Sequence, residues 1–310
     1  MASLRWRERQ SRGFLERNRR IGDIGEHDQL YARRLGARRD RHRLSGRDRS
    51  PVERRRCGRE ERDGVVTPDI DRIGPTRRPP GKPRGYQRWR HLLFVHWRVP
   101  LEELRRLVPP SLEIDTFEGD ALIGLVPFEM QGVRPAWSPE VFAFNFLETN
   151  LRTYVHVGGR DPGVYFFSLE AASRMAVTAA RIGWSLPYHY ATMAMDVRDS
   201  EVDYETTRAS DPGARLKTHY RIGQELAASQ PGSLEFFLFE RYLLHTERGG
   251  RVWTGQVHHT PYPVQLAQLE RFEEGLVRAA GLPEPGRLPE LCHYSLGVDV
   301  EIFDLAPRRT

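Results

Sequence analysis

Three neighbouring pieces of sequence decide the fold: NLRTYV at residues 150–155, GVYFFSLEAASR at residues 163–174, and LPY at residues 186–188. The first piece has the composition of a β-strand, in which alternate side chains point to the same face. Asn150, Arg152, Tyr154 and His156 therefore share one face, and the residues between them share the other. A strand with one solvated face explains this pattern. A strand whose polar face lines an internal cavity and orients a small polar or anionic ligand explains it equally well.

The second piece begins with a nearly unbroken apolar run, Val164–Leu169, which predicts a strand buried on both faces. A helix is expected over Glu170–Ile182, because this segment lacks proline and glycine and has apolar residues at helical spacing. Gly183 is the expected end of that helix, and Glu170 is placed to pair with Arg174.

The rest of the folded part is predicted to consist mostly of strands joined by turns. The predicted strands are His91–Val99, Leu112–Thr116, Ala121–Phe128, Tyr190–Tyr204, Ala214–Ile222, Tyr242–Thr246, Val252–His258 and Tyr294–Phe303. The predicted helices are Leu101–Leu107, Ser233–Phe239 with Ser233 as N-cap, and Leu266–Ala280. We expect hairpins around residues 117–120 and 248–251. The resulting prediction is an α+β fold with a largely antiparallel sheet.

Charge is distributed unevenly along the chain. Residues 1–90 hold 27 of the 48 Lys and Arg residues and 13 of the 42 Asp and Glu residues. Twenty of the first 80 residues are apolar, against 39% of the whole chain, and they show no sustained period. We therefore predict a disordered, Arg-rich tail over residues 1–85 and a single domain over residues 86–310. An alternative hypothesis is that the tail is an artefact of the gene model and that the true start lies near Tyr86.

The composition also bears on partners and location. Arginine runs such as Arg54-Arg55-Arg56 bind nucleic acid in some proteins, but no recognisable nucleic-acid module surrounds them here, so we expect no nucleic-acid partner. The N-terminus lacks the apolar run of a signal peptide, and no uninterrupted apolar stretch of about 18 residues predicts a membrane span. Cys57 and Cys292 do not make a disulfide framework. We predict a cytoplasmic protein and leave a homo-oligomer open.

Motifs with well-defined chemistry are sparse. The sequence has no glycine-rich phosphate loop and no nucleophile elbow. His258 and His259 are adjacent and point to opposite faces of a strand, which is poor spacing for a metal, so we predict neither a metal nor a cofactor. Glu240-Arg241-Tyr242 is polar within an apolar run. These residues either form a buried ion pair that supports the fold or reach the pocket.

Eight motifs occur in the same order as in a known family. They are FVHWRVP at 94–100, LEIDTFEG at 112–119, GLVPF at 124–128, NLRTYV at 150–155, GVYFFSLEA at 163–171, LPY at 186–188, ERY at 240–242 and HHTPYP at 258–263. Through them, the chain from about Trp89 to the C-terminus resembles the YqjF-like family of uncharacterised bacterial proteins. That family is similar in fold to acetoacetate decarboxylase. The resemblance implies a curved, barrel-like antiparallel sheet with helices packed against it and a central cavity.

The same resemblance raises the question of a catalytic lysine. The decarboxylase uses a lysine that forms a Schiff base with a keto acid, and its lysine pair follows the helix that resembles Glu170–Ile182. This sequence has Leu186-Pro187-Tyr188-His189 at the corresponding place, and its two lysines are Lys82 and Lys217. Because arginine stays protonated and forms no imine, we do not expect Schiff-base decarboxylation.

Three functions remain open. The first is binding of a small anionic or carbonyl-containing molecule, and its candidate residues are Asn150, Arg152, Tyr154, Tyr188, Arg241 and His258. The second is a lysine-independent lyase, hydratase or hydrolase acting on a carboxylic or keto acid. In that enzyme His189 or Glu148 is the acid or base, and Arg152 stabilises negative charge. The third is a structural or interaction protein with a filled barrel.

Overall fold

The computed structural model describes residues 70–308, which form twelve strands and four helices. The strands are β1 (Gly85–Val99), β2 (Glu113–Ile114), β3 (Ala121–Pro135), β4 (Phe144–Val157), β5 (Arg160–Ala171), β6 (Tyr188–Arg198), β7 (Glu201–Arg208), β8 (Arg215–Glu225), β9 (Leu243–Arg248), β10 (Arg251–His258), β11 (Val264–Glu274) and β12 (Leu291–Pro307). The helices are α1 (Leu101–Leu107), α2 (Arg174–Trp184), α3 (Leu234–Phe239) and α4 (Leu276–Ala279). No helix in this range is long and apolar enough to cross a membrane.

All twelve strands belong to one sheet, with the order β10-β9-β5-β6-β7-β8-β11-β12-β1-β3-β4-β2. Neighbouring strands run antiparallel except where β5 pairs with β6 and with β9. Two additional pairings, β10 with β12 and β5 with β4, join strands that are distant in this order. Strands β12, β1, β3, β4, β5, β9 and β10 therefore form a closed ring, which we call the seven-stranded barrel. The prediction of a largely antiparallel, curved, barrel-like sheet is confirmed.

Strands β1 and β3 bury both of their faces. On β1, Leu92 and Phe94 point into the seven-stranded barrel, while Leu93 and Val95 point to the opposite side. The opposite side packs against β7, β8 and α4 and forms a continuous apolar core, here called the filled core. Its largest members include Trp97, Tyr204, Tyr220 and Tyr294. Burial on both faces explains the nearly continuous apolar sequence of β1 and β3.

Several local predictions agree with the structure. Helix α1 occupies the predicted residues, with Glu102 and Glu103 in its first turn and two arginines in its last turn, as the helix dipole favours. Ser233 caps α3 by accepting a hydrogen bond from the Phe236 amide at 3.1 Å. The hairpin of β9 and β10 and the final strand β12 also lie where the sequence placed them.

The predicted helix over Glu170–Ile182 begins too early. Glu170 and Ala171 still belong to β5, where they pair with β4. Ser173 caps α2 by accepting a hydrogen bond from the Ala176 amide, so the helix starts at Arg174 and ends at Trp184. Glu170 consequently pairs with Arg208 rather than with Arg174.

The predicted helix over Leu266–Ala280 is wrong. Residues 264–274 form β11, and only Leu276–Ala279 is helical. Ala267, Leu269 and Phe272 all pack on the filled core, although a register shift lies between Leu269 and Arg271. The extra residue of this bulge changes the apolar spacing from two to three, which imitates helical spacing.

Two strand predictions are also wrong. The segment Tyr190–Tyr204 is not one strand, because a turn at residues 199–200 separates β6 from β7. Asp199 adopts a positive φ of 54° there without a glycine or proline to mark the turn. The predicted hairpin around residues 117–120 forms only at its turn, where Phe117 and Asp120 exchange two backbone hydrogen bonds, because Glu113 and Ile114 pair with β4 instead of β3.

The segment before β1 is attached to the domain. Residues 1–69 of the predicted tail lie outside the described residues. Residues 70–84, here called the strap, are described, and from Arg78 onward they run along β12. Arg78 pairs with Glu301 at 2.6 Å, and Arg84 pairs with Asp304 at 2.6 Å. The part of the chain that contacts the domain thus begins before the predicted boundary at residue 85.

Candidate functional site

The seven-stranded barrel contains a cavity of about 180 Å³. Every strand of the barrel contributes to its wall, together with α2, α3 and the loops that flank β6 and β9. Most lining residues are apolar: Trp89, Leu92, Val126, Phe128, Met130, Val164, Phe166, Leu169, Ala180, Trp184, Leu186, Phe239, Leu243, Leu244, Val257 and Ile302. The polar ones are Gln87, Glu148, Asn150, Arg152, Tyr188, Arg241, Tyr242 and Tyr262. A mostly apolar wall with a few polar groups is the usual composition of a small-molecule site.

Strand β4 places three of the predicted site residues in this cavity. Glu148, Asn150 and Arg152 lie at alternate positions and all line the wall. The polar face of β4 is therefore turned to the interior of the barrel rather than to bulk solvent. Tyr188, at the start of β6, and Arg241, just before β9, join them from other elements.

Tyr154 and His156, which continue the same face of β4, do not line the cavity. The Tyr154 hydroxyl lies 2.8 Å from Nε2 of His96 and donates to the Leu238 carbonyl at 3.2 Å. Tyr154 therefore supports the cavity wall from behind. His156 lies at the far end of β4, where its Nδ1 accepts a hydrogen bond from the Gly159 amide.

Two arginines bring positive charge to the cavity: Arg241 is buried and Arg152 is half-buried. Arg152 donates from Nη2 to the Leu238 carbonyl at 3.4 Å, and its guanidinium lies 5.6 Å from the centre of the Phe94 ring. Its Nε has no hydrogen-bond partner within residues 70–308, and the same holds for Oδ1 of Asn150 and Nη2 of Arg241. Buried polar atoms are normally satisfied. Three of the residues that line the cavity nevertheless each keep one buried polar atom unsatisfied.

Arg241 is fixed by its other donors. Its Nη1 donates to Oδ2 of Asp115 at 2.8 Å, and its Nε donates to the Phe237 carbonyl at 2.6 Å. The guanidinium also lies 4.1 Å from the centre of the Phe237 ring. Burial lowers the pKa of Arg241, and the Asp115 carboxylate opposes that shift. Both interpretations of the Glu240-Arg241-Tyr242 motif hold, because Arg241 forms a buried ion pair and lines the cavity.

Glu148 and Tyr188 form a hydrogen-bonded pair in the cavity. The Tyr188 hydroxyl donates to Oε2 of Glu148 at 2.8 Å. Burial raises the pKa of Glu148 to about 8, the hydrogen bond from Tyr188 opposes this shift, and the carboxyl group of Glu170 adds to it. Burial likewise raises the pKa of Tyr188 well above its usual value. A pKa of about 8 keeps Glu148 mostly protonated at neutral pH, so its carboxyl group has a proton to donate in addition to accepting the hydrogen bond from Tyr188.

The two predicted histidines lie elsewhere. His189 follows Tyr188 on β6 and therefore points to the opposite face, away from the cavity. Burial lowers its pKa to about 4, and the charges of Arg208 and Arg181 add to that shift. His258 ends β10, where its Nδ1 lies 3.8 Å from Glu301 and outside the cavity lining.

Several lining residues were not among the candidate site residues. Trp184 is part of the cavity wall, and a Cβ at Gly255 would come within 2.7 Å of its ring. Trp89 and Gln87 reach the cavity from the part of β1 that precedes the predicted strand His91–Val99. Asp115 was missed although it belongs to a recognised motif, because its partner Arg241 is 126 residues away in sequence. The available signal was the presence of an aspartate within the family motif LEIDTFEG at residues 112–119.

Neither lysine belongs to the cavity. Lys217 lies on β8 with its ammonium group 2.7 Å from Glu205, in a half-exposed ion pair. Lys82 is an exposed residue of the strap. Imine formation with a ligand in the cavity therefore has no primary amine available from the residues that line it.

Comparison with solved structures shows an acetoacetate decarboxylase-like fold. The enduracididine biosynthesis enzyme MppR, solved in complex with pyruvate, superimposes with a TM-score of 0.51 and 14% identity over 73% of this chain and 91% of that chain. Acetoacetate decarboxylase from Legionella pneumophila gives a TM-score of 0.51 with 10% identity over 82% and 98% of the two chains. At such identities the likeness concerns the fold alone.

Comparison of sequences shows the family. Over 220 residues the chain is 38% identical to the uncharacterised protein YqjF of Bacillus subtilis (strain 168), which covers 71% of this chain and 90% of YqjF. Residues 86–299 match the model of DUF2071, a family of uncharacterised conserved proteins. The chain therefore belongs to the DUF2071 family, as its YqjF-like motifs indicated.

Proposed function

We propose that this protein binds a small monoanionic molecule, with a carboxylate as its charged group, inside the seven-stranded barrel. The observation that carries the proposal is the pair of arginines on the cavity wall. Arg152 and Arg241 each keep one N–H donor without a partner within residues 70–308. A carboxylate has the charge and the acceptor atoms to satisfy both donors. The similarly folded MppR was solved with pyruvate, which is a small carboxylate.

The size of the cavity limits the ligand. An apolar cavity of about 150 Å³ accommodates benzene. The cavity of about 180 Å³ therefore suits a molecule of roughly six to ten non-hydrogen atoms. Because most of the wall is apolar, the part of the ligand beyond its carboxylate is expected to be apolar as well.

Glu148 adds a second element of recognition. As a neutral acid it donates a hydrogen bond, which suits an uncharged acceptor such as a carbonyl or hydroxyl oxygen. A second carboxylate on the ligand would lie beside Glu148. The two carboxyl groups would then have to share one proton, which disfavours binding of a dianion. We therefore expect monocarboxylates to bind more tightly than dicarboxylates of similar length.

Benzoate and benzamide test the proposal, because they share a shape and differ in charge. At about pH 6, where Glu148 is neutral, isothermal titration calorimetry should show that benzoate binds and that benzamide binds more weakly. Replacing Arg152 with Gln should weaken benzoate binding about 10- to 100-fold, since it removes a charged hydrogen bond. The control variant Arg221→Gln removes a surface charge paired with Glu201 and Glu270 and should leave both affinities unchanged.

Two results would contradict the proposal. One is that neither benzoate nor a panel of small aliphatic carboxylates binds or raises the melting temperature. The other is that benzoate and benzamide bind equally well to the wild-type protein and to Arg152→Gln. In that second case the cavity binds apolar molecules without regard to charge.

A lysine-independent enzyme is the second candidate function, and the state of Glu148 favours it. A protonated carboxyl group facing a bound carboxylic or keto acid is placed to act as a general acid, with Arg152 stabilising negative charge. Proton NMR of small 2-oxo acids and hydroxy acids incubated with the protein tests this activity. Turnover that falls above about pH 8 and disappears in Glu148→Gln, with benzoate binding retained, is the expected result. Binding without turnover would exclude this second function and leave carboxylate binding as the function.

A further inference from the structure

The strap contributes a charged residue next to the cavity. Arg72 forms an ion pair through Nη2 with Oδ1 of Asp115, and its guanidinium lies 5.5 Å from the centre of the Phe237 ring. Asp115 is almost completely buried, with 1% of its side chain exposed. Its other carboxylate oxygen accepts the hydrogen bond from Arg241. Arg72, Asp115 and Arg241 therefore form one network of ion pairs that runs from the strap to the cavity wall.

The charges of this three-residue network do not cancel. Arg241 and Asp115 alone would be a neutral pair, and a neutral pair attracts an anion weakly. Arg72 supplies a second positive charge to the same carboxylate, so the three groups together carry a net charge of about +1. In the buried interior, where charges are poorly screened, this remaining charge is felt in the cavity.

We propose that Arg72 is a positioning residue of the anion site: by pairing with one oxygen of Asp115, it offsets the charge of that carboxylate and leaves the positive charge of Arg241 for the carboxylate of a ligand. This inference rests on the proposed function, because it requires that the cavity binds a carboxylate. It extends that function to the strap, which lies outside residues 86–299 that match the family. The strap thereby becomes part of the binding site of this chain rather than an appendage.

The other arginines of the strap provide the comparison. Arg78 and Arg84 pair with Glu301 and Asp304, two carboxylates on β12 that do not line the cavity. The Arg84 pair is well exposed, with 70% and 65% of the two side chains accessible. Arg84 therefore anchors the strap at the surface without a connection to Arg241, and replacing it changes the net charge by the same amount as replacing Arg72.

The experiment measures benzoate and benzamide binding by isothermal titration calorimetry in the full chain. Arg72→Gln should weaken benzoate binding about three- to tenfold, which is the effect of one charge acting through a nearby buried pair, while benzamide binding changes less than about twofold. Arg84→Gln should leave both affinities within about twofold of wild type. Arg72→Lys keeps the charge and should restore most of the benzoate affinity.

The alternative role for Arg72 is that it only anchors the strap. In that case Arg72→Gln weakens benzoate and benzamide by the same factor, or weakens neither, and either result overturns the inference while leaving carboxylate binding intact. If the wild-type protein binds neither benzoate nor any of the small aliphatic carboxylates, the proposed function and this inference fail together. Should Arg72→Gln not fold, a benzoate affinity of Arg72→Lys within about threefold of wild type supports the inference, and a larger loss overturns it.

Discussion

The two faces of strands β1, β3 and β4 are equally buried but differ in how their polar atoms are satisfied. On the face toward the filled core, Oγ1 of Thr149 lies 2.9 Å from Oγ1 of Thr206 and 3.4 Å from the Tyr204 hydroxyl. On the face toward the cavity, Asn150 and Arg152 each keep a buried atom without a partner among the described residues. The two sets of residues alternate along the same strand.

This difference shows what burial alone does not reveal. A polar group that serves only the fold is paired within the fold, because an unpaired buried group costs about 1–3 kcal/mol. The cavity face retains unpaired groups together with empty volume, and that combination supports the proposed ligand. The following predictions test the contrast between the filled core and the cavity face, beginning with the largest expected effect.

Removing the buried carboxylate behind the cavity should have the largest effect on stability. Asp115→Ala leaves Arg241 as an uncompensated buried charge, which costs about 3–5 kcal/mol of unfolding free energy. Thr206→Val on the filled core removes a neutral hydrogen bond and should cost about 1–2 kcal/mol. Urea denaturation at neutral pH measures both. A loss below about 1 kcal/mol for Asp115→Ala would show that solvent reaches Arg241 and that the charge is not buried.

Glu148 should make the stability of the protein depend on pH. Its pKa is about 8 in the folded protein and 4.5 as the ordinary value, so between these pH values the unfolded chain has released a proton that the folded chain retains. Wild-type stability therefore falls as pH rises from below about 4.5 to above about 8, by at most about 5 kcal/mol in total from this group. Above pH 8 the loss is complete.

Glu148→Gln isolates that contribution, because the amide keeps the shape and can accept the hydrogen bond from Tyr188. The variant should gain stability relative to wild type as pH rises, and urea denaturation at several pH values measures the gain. Glu205→Gln, at an exposed carboxylate on the far side of the sheet, is the control and should give a nearly constant difference. Parallel pH profiles for wild type and Glu148→Gln would mean that Glu148 is ionised in the folded protein.

Much of this contrast was accessible from the sequence. The alternation of Asn150 and Arg152 with apolar residues predicted a polar face on this strand, and the family resemblance implied that it looks into a central cavity. The polar motif around Arg241 was open between a buried ion pair and a place in the pocket. What the sequence did not determine is where that face ends. Tyr154 continues the alternation but is satisfied by His96 of β1 and Leu238 of α3, which are distant from it in sequence.

The errors in the fold have a common physical origin. Local spacing fails wherever a bulge or an unmarked turn changes the period of the chain. The bulge after Leu269 made β11 look helical, and the turn at Asp199 has no glycine or proline. Pairings such as that of Glu113 with His156 depend on tertiary contacts. For the same reason, the sequence did not predict the ion pairs of Asp115 with Arg72 and Arg241.

The smallest predicted difference concerns two adjacent leucines of β1. Leu93 points into the filled core with no exposed surface, whereas Leu92 lines the cavity. Truncation of a buried leucine to alanine costs about 2–5 kcal/mol, with the larger values where the surroundings pack tightly and cannot relax. Leu93→Ala should therefore lie toward the upper end of this range and Leu92→Ala toward the lower end, with a difference of about 1 kcal/mol between them.

Binding provides the second half of this comparison. Leu92→Ala enlarges the cavity and should change the affinity for benzoate, whereas Leu93→Ala should leave that affinity unchanged at a temperature where both variants are folded. Urea denaturation and calorimetry on the two variants measure the two effects. If Leu92→Ala is the more destabilising variant and benzoate affinity is the same in both, the cavity face packs as tightly as the filled core. The two sides of β1 would then differ in polarity but not in packing, and the cavity would no longer support the proposal of a bound ligand.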